Sequence, residues 1–136
     1  MFFSSQDEEL LGSAYMNCSY MDGLQVTFDF KYENISGTDS KSIYKDDNTE
    51  IKVFETPGHT EGSVCFLVDQ GEDKMLFTGD TVFQGSIGRT DMPGGSMKVM
   101  SESLKKFASF DHGLKKYPGH GPDSSVGDEV KFNPFF

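Results

Sequence analysis

Residues 51–80 read IKVFETPGHTEGSVCFLVDQGEDKMLFTGD, and the punctuation in this stretch decides the fold. Ile51 to Glu55 has the composition of a strand, and Pro57-Gly58 breaks it because proline cannot donate to a ladder. Ser63 to Val68 forms a second such run, Gly71-Glu72-Asp73 turns the chain, and Met75 to Thr78 forms a third. The result is a three-strand run with short connections.

Downstream, the passage from Gly79 to Gly95 is too glycine-rich for regular structure and reads as an ordered loop that carries function. Ser96 then suits the N-cap of a helix over Met97 to Phe107, with Val99, Met100, Ser103, Leu104 and Phe107 sharing one face that should pack on a sheet. Leu114 to Tyr117 is a short strand and Pro118-Gly119-His120-Gly121-Pro122 a tight loop. Ser125 opens a short helix over Gly127 to Phe132, with Asp128 in its first turn where the helix dipole favours an anion. Upstream the patterning is weaker. Gln6 to Tyr15 suggests a short helix, Leu24 to Tyr32 alternates like a strand with one wet face, and Asp46-Asp47-Asn48 reads as a hairpin turn into Ile51. Strands and helices mixed in this order give an α/β or α+β domain.

The bulk numbers bound what such a domain can do. At 136 residues and 15.1 kDa the chain is one domain at most. An apolar share of 35% leaves little material for a core, so 13 Phe and 5 Tyr must supply much of the buried area. A net charge of −10 with Arg89 as the sole arginine argues against nucleic acid and anionic membrane surfaces, both of which require clustered cations. Cys18 and Cys65 stand in dissimilar contexts, which suits reduced thiols in a cytoplasm and no intramolecular bridge. No window approaches the roughly 20 apolar residues of a membrane span, so a soluble protein is expected.

Three candidate metal ligands stand out. His59, Asp80 and His120 each follow a predicted strand, in Thr56-Pro57-Gly58-His59, Thr78-Gly79-Asp80 and Tyr117-Pro118-Gly119-His120. Loops at strand ends can converge side chains on one point, and a neighbouring glycine lets the backbone approach without a Cβ clash. Imidazole with carboxylate suits zinc, iron or manganese. On spacing alone a plainer account stands beside this one: two ordinary Pro-Gly turns, with Asp80 capping the glycine-rich loop. Cys65, inside a strand, reads as core, and Cys18 has no neighbouring group to activate its thiol. The acidic runs Asp7 to Glu9 and Asp69 to Asp73 read as solvated faces.

Four motifs in order, Thr56-Pro57-Gly58-His59-Thr60-Glu61-Gly62-Ser63, Phe77-Thr78-Gly79-Asp80-Thr81-Val82-Phe83, Gly85-Ser86-Ile87-Gly88-Arg89-Thr90-Asp91 and Tyr117-Pro118-Gly119-His120-Gly121-Pro122, resemble the glyoxalase II-like branch of the metallo-β-lactamase superfamily. The end of the chain, Glu129 to Phe136, resembles that of small bacterial members. The resemblance implies the C-terminal half of an αββα sandwich with a mainly antiparallel or mixed sheet and flanking helices. It implies one partial domain over 1–136, with 1–50 a poorly defined lead-in and 51–136 bearing the motifs.

It further implies that His59 ligates a first metal, His120 a second, and Asp80 bridges both as the catalytic centre of a zinc hydrolase, with iron or manganese also suited to the ligands. In intact members a hydroxide between the metals attacks a thioester such as S-lactoylglutathione. Thr60, Thr78, Arg89 and Asp91 are candidates to brace the ligands, with Arg89 pairing to Asp91. The family's upstream His-x-His-x-Asp-His motif is absent. The only other histidine, His112, reads as an exposed loop residue, so the chain by itself is expected to be inactive. Two alternatives accompany this reading: an inert folding or association fragment, and a relative of the iron persulfide dioxygenases, which share the Gly-Arg-Thr-Asp stretch. Apolar faces that the missing half would cover are expected to draw two copies into a homodimer through an exposed sheet surface.

Overall fold

The computed structural model describes residues 2–136. Its centre is a six-stranded mixed sheet built from β3 (Lys41–Lys45), β4 (Glu50–Glu55), β5 (Val64–Gln70), β6 (Asp73–Gly79), β9 (Lys115–Pro118) and β10 (Ser124–Ser125), in the order β10-β9-β6-β5-β4-β3. The three strands expected from residues 51–80 pair as antiparallel neighbours, Val53 opposite Phe66 and Phe66 opposite Phe77. β9 joins β6 in parallel, which requires a long crossover. That crossover holds the two-residue strands β7 (Val82–Phe83) and β8 (Ser86–Ile87), which pair with each other, and the helix α2 (Met97–Ala108). The glycine-rich passage is therefore not wholly irregular, since it includes the small β7–β8 ladder.

α2 lies on the sheet face that carries Cys65 and Leu76. Its residues Met100, Leu104 and Phe107 join these with Val82, Leu114 and Val126 in one buried cluster, onto which Phe54 and Phe110 pack edge to face at 4.8 Å. Ser96 caps α2 by accepting from Val99 N, and Ser125 caps the last helix, α3 (Val126–Phe132), by accepting from Asp128 N. Val99 departs from the expected apolar face and is exposed, because the face turned to the core is set by Met100, Ser103, Leu104 and Phe107.

The first forty residues correct the sequence reading. The expected helix over Gln6 to Tyr15 is a single 3₁₀ turn, Ser5–Asp7, followed by a five-residue helix α1 (Glu8–Gly12). Gly12 and Ser13 stop it early, being poor helix formers. Leu24 to Tyr32 is not a strand. Among the described residues it has no partner in the sheet, and it is instead tied down singly, Val26 N donating to Ser19 Oγ and Phe28 N to Leu11 O. Pairing begins only at β2 (Glu33–Asn34), which runs parallel to β1 (Phe2–Phe3). Conversely, polar Lys41–Lys45 is a strand, because the Asp46 carboxylate accepts from Asn48 N and Thr49 N and closes the hairpin onto β4.

Candidate metal centre

Strand polarity brings the three motif loops together. β4 and β6 flank β5 antiparallel to it, and β9 is parallel to β6, so the C-terminal ends of β4, β6 and β9 all leave the sheet on one side. His59, Asp80 and His120 follow those three ends. His59 Nε2 lies 3.6 Å from Asp80 Oδ2, and His120 Nε2 lies 3.8 Å from Asp80 Oδ1. One carboxylate thus presents a different oxygen to each imidazole. Among the described residues no three His, Cys, Asp or Glu side chains close on a single ion position, so the arrangement is two corners sharing Asp80.

Each ligand loop is held by contacts that explain its composition. Gly58 has φ of 141°, and a Cβ there would sit 2.6 Å from Met100 Cα, so α2 packs directly on the backbone preceding His59. Ser96 N donates to Gly58 O and Ser103 Oγ to Pro57 O, which fastens the same turn to the helix. Asp80 is enclosed by glycine: a Cβ on Gly88 would overlap its carbonyl oxygen and one on Gly119 would overlap its Oδ1. Gly119 N also donates to Gly79 O at 2.8 Å, fixing the spacing of the β6 and β9 loops.

The His59 ring is oriented by a backbone group. Its Nδ1 lies 2.8 Å from Arg89 O, and a carbonyl can only accept, so Nδ1 carries the proton and the neutral ring keeps its lone pair on Nε2, the atom that faces Asp80. The Arg89 side chain is turned elsewhere. Its guanidinium grips Asp91 with two bonds of 2.8 and 2.9 Å and holds that carboxyl down to about 2. Thr78 Oγ1 donates to Val82 O, joining the end of β6 to β7 across Asp80. Thr60 Oγ1 donates not to a ligand but to Asp7. His112, exposed at the end of α2, has its Nε2 3.3 Å from Ala108 O. His120 stacks edge-on to Phe83 at 6.0 Å.

Two groups have roles that the sequence did not show. Asp7, read as part of a solvated acidic face, instead reaches the His59 loop from the N-terminal segment, across more than fifty residues. Glu129 is buried under the crossover, where its carboxylate accepts from Gly85 N, Asn133 Nδ2 and Ser124 Oγ and faces the buried Lys116 ammonium at 3.8 Å. Neither position has a local pattern, although Glu129 in an otherwise apolar helix face is a signal that a buried partner exists. Beside His59 lies a cleft of about 380 Å³, walled mainly by Leu10, Met16, Cys18, Met92 and Pro93.

The family model of the metallo-β-lactamase superfamily matches residues 14–120, a span that contains all three loops. The chain belongs to the metallo-β-lactamase superfamily. Its relatives include the hydroxyacylglutathione hydrolase GloC of Haemophilus influenzae, 37% identical over 94 residues that cover 68% of this chain and 43% of that protein. The probable metallo-hydrolase YqgX of Bacillus subtilis is 31% identical over 137 residues, 99% of this chain and 63% of its own length. Among solved structures, TTHA1623 in a di-iron-bound form superposes with a TM-score of 0.79 at 28% identity over 99% of this chain and 64% of its own. The chain therefore spans between about two fifths and two thirds of the length of these proteins.

Proposed function

We propose that this superfamily chain carries the second half of a two-metal hydrolase centre that cleaves a thioester or related acyl carbonyl. The observation that carries the reading is the division of the Asp80 carboxylate between the Nε2 atoms of His59 and His120. His59 with Asp80 would hold one ion and His120 with Asp80 the other; such ions supply Lewis acidity and an activated water near neutral pH. The donor set fits zinc, and it equally fits the iron found in TTHA1623. A catalytic zinc normally takes three protein ligands, so each corner needs at least one donor beyond these.

The chain's own residues prepare the rest. The Arg89 carbonyl keeps the His59 lone pair on Nε2, glycine at 88 and 119 seats Asp80, and the apolar cleft beside His59 accepts the acyl group while its carbonyl meets the centre. Similarity to GloC supports a thioester. The free thiols Cys18 and Cys65 support a reducing, cytoplasmic compartment, and no helix among the described residues is long and apolar enough to cross a membrane. The apolar sheet face opposite α2, with Phe66, Phe77 and Tyr117 in register across β5, β6 and β9, supports a homodimer.

A second reading, an inert folding or association unit, is favoured by one fact: each corner of the centre has two donors. Metal analysis of the purified chain with a thioester hydrolysis assay decides between them. Bound transition metal that is lost on Asp80→Ala supports the hydrolase half-centre, and turnover strengthens it; absence of bound metal supports the inert unit. Iron together with oxygen consumption would overturn the hydrolase in favour of dioxygenase chemistry.

A further inference from the structure

The loop that follows His59 is held by one carboxylate from the N-terminal segment. Asp7 closes the 3₁₀ turn Ser5–Asp7, and its Oδ2 accepts from Thr60 Oγ1 at 2.7 Å while its Oδ1 accepts from Gly62 N at 2.7 Å. Thr60 is shared further: its Oγ1 lies 2.8 Å from Ser63 Oγ, and Ser63 Oγ accepts from Thr60 N at 3.0 Å. Gly62 is where this seat has no slack, because a Cβ there would come 2.6 Å from Asp7 Cγ and 2.8 Å from Ser4 Cβ. Bonds of this length to an ionised acceptor are charge-assisted and stronger than neutral ones.

From this geometry we propose that Asp7 is a positioning residue for the metal centre, fixing the backbone of the Thr60–Ser63 loop so that His59 presents Nε2 to the metal. The ring is clamped at Nδ1 by Arg89 O, on the crossover, and the residues after it are clamped by Asp7, on the N-terminal segment. Two supports from different parts of the chain hold one imidazole, and groups that orient a ligand in this way typically govern metal affinity by about 10–100-fold. The same bonds dock the segment whose Leu10 and Met16 wall the cleft beside His59, so the contact joins metal seat to substrate wall. The metal half of this inference rests on the hydrolase reading; the positional half does not.

The test uses the full chain and three variants, D7A, D7N and G62A, with circular dichroism to verify folding. In the metal-free protein, long-range ¹H–¹⁵N spectra of the imidazoles at about pH 8, above the ordinary histidine range, should show His59 as a single Nδ1–H tautomer. D7A should convert His59 to a mixture of tautomers and leave His112 unmoved. D7N should keep the wild-type pattern, because the Asn oxygen still accepts from Gly62 N and its amide can donate to Thr60 Oγ1. G62A, which crowds the carboxylate off the loop without removing it, should resemble D7A, and it carries the test if D7A fails to fold. Zinc competition titrations should weaken about 10–100-fold in D7A and G62A and change little in D7N. An unchanged His59 spectrum in folded D7A and G62A overturns the proposal. A wild type that binds no zinc overturns the hydrolase reading instead, while the tautomer comparison still decides the role of Asp7.

Discussion

Asp80 shows how much a single side chain depends on what its neighbours lack. Its carboxylate can serve two imidazoles only because residues 88 and 119 have no Cβ, so Gly119→Ala should displace Oδ1 from His120 and lower zinc affinity by about 10-fold or more, measured by chelator competition. An unchanged affinity would show that Asp80 has room to move. The two cysteines make an opposite pair. Burial pushes the Cys65 thiol up to about 11, against the weaker opposing pull of bonds from Thr56 and Thr81, while Cys18 is only half-buried. A raised folded-state value means that Cys65 favours folding fully below its unfolded value near 9 and that this benefit fades as pH rises toward 11. Of order 2–3 kcal/mol is involved by linkage. Alkylation at pH 8 followed by mass spectrometry should therefore label Cys18 alone, and labelling of both in the folded protein would contradict the buried assignment.

Among the elements, the crossover from β6 to β9 is the piece whose stability the centre depends on most, since it carries Asp80 at its start and the Arg89 carbonyl in its middle. Its anchor is the Lys116–Glu129 pair, both side chains at most 2% exposed. Burial draws the Lys116 ammonium below its ordinary value even with Glu129 beside it, a sign that desolvation is the larger effect here. Glu129→Ala should cost about 3–5 kcal/mol in denaturant melts, because it strands a buried cation and leaves Gly85 N without its acceptor. Adding Lys116→Met should restore part of that loss; if the double variant is no better than the single one, the pair is not what the cost measures.

For the molecule as a unit, the sheet has one face filled by α2 and α3 and another that carries Phe66, Phe77 and Tyr117 in register, with Phe77 41% exposed and stacked on Tyr117 at 5.4 Å. Apolar faces of this kind find a partner in water. Light scattering should give a mass of two chains of 15.1 kDa, and Phe77→Asp should return it to one. A monomeric wild type would rule out association through this face.

Local pattern was enough to read β4, β5, β6, α2, β9 and α3 to within a few residues, because each is bounded by Pro, Gly or a Ser cap that acts on its own neighbours. The motif loops were legible for the same reason, and family resemblance then singled out His59, Asp80 and His120 among turns of similar composition. What the sequence could not determine is everything that depends on distant partners. Alternation in Leu24 to Tyr32 promised a strand, yet a strand exists only where another offers its hydrogen bonds, and among the described residues none does. Lys41–Lys45 has no strand pattern of its own beyond the Asp46-Asp47-Asn48 turn after it, and it is a strand because β4 lies beside it. Asp7 and the Arg89 carbonyl, the two groups that hold the His59 loop and ring, lie more than fifty residues before that loop and thirty residues after it, where only folding brings them into contact.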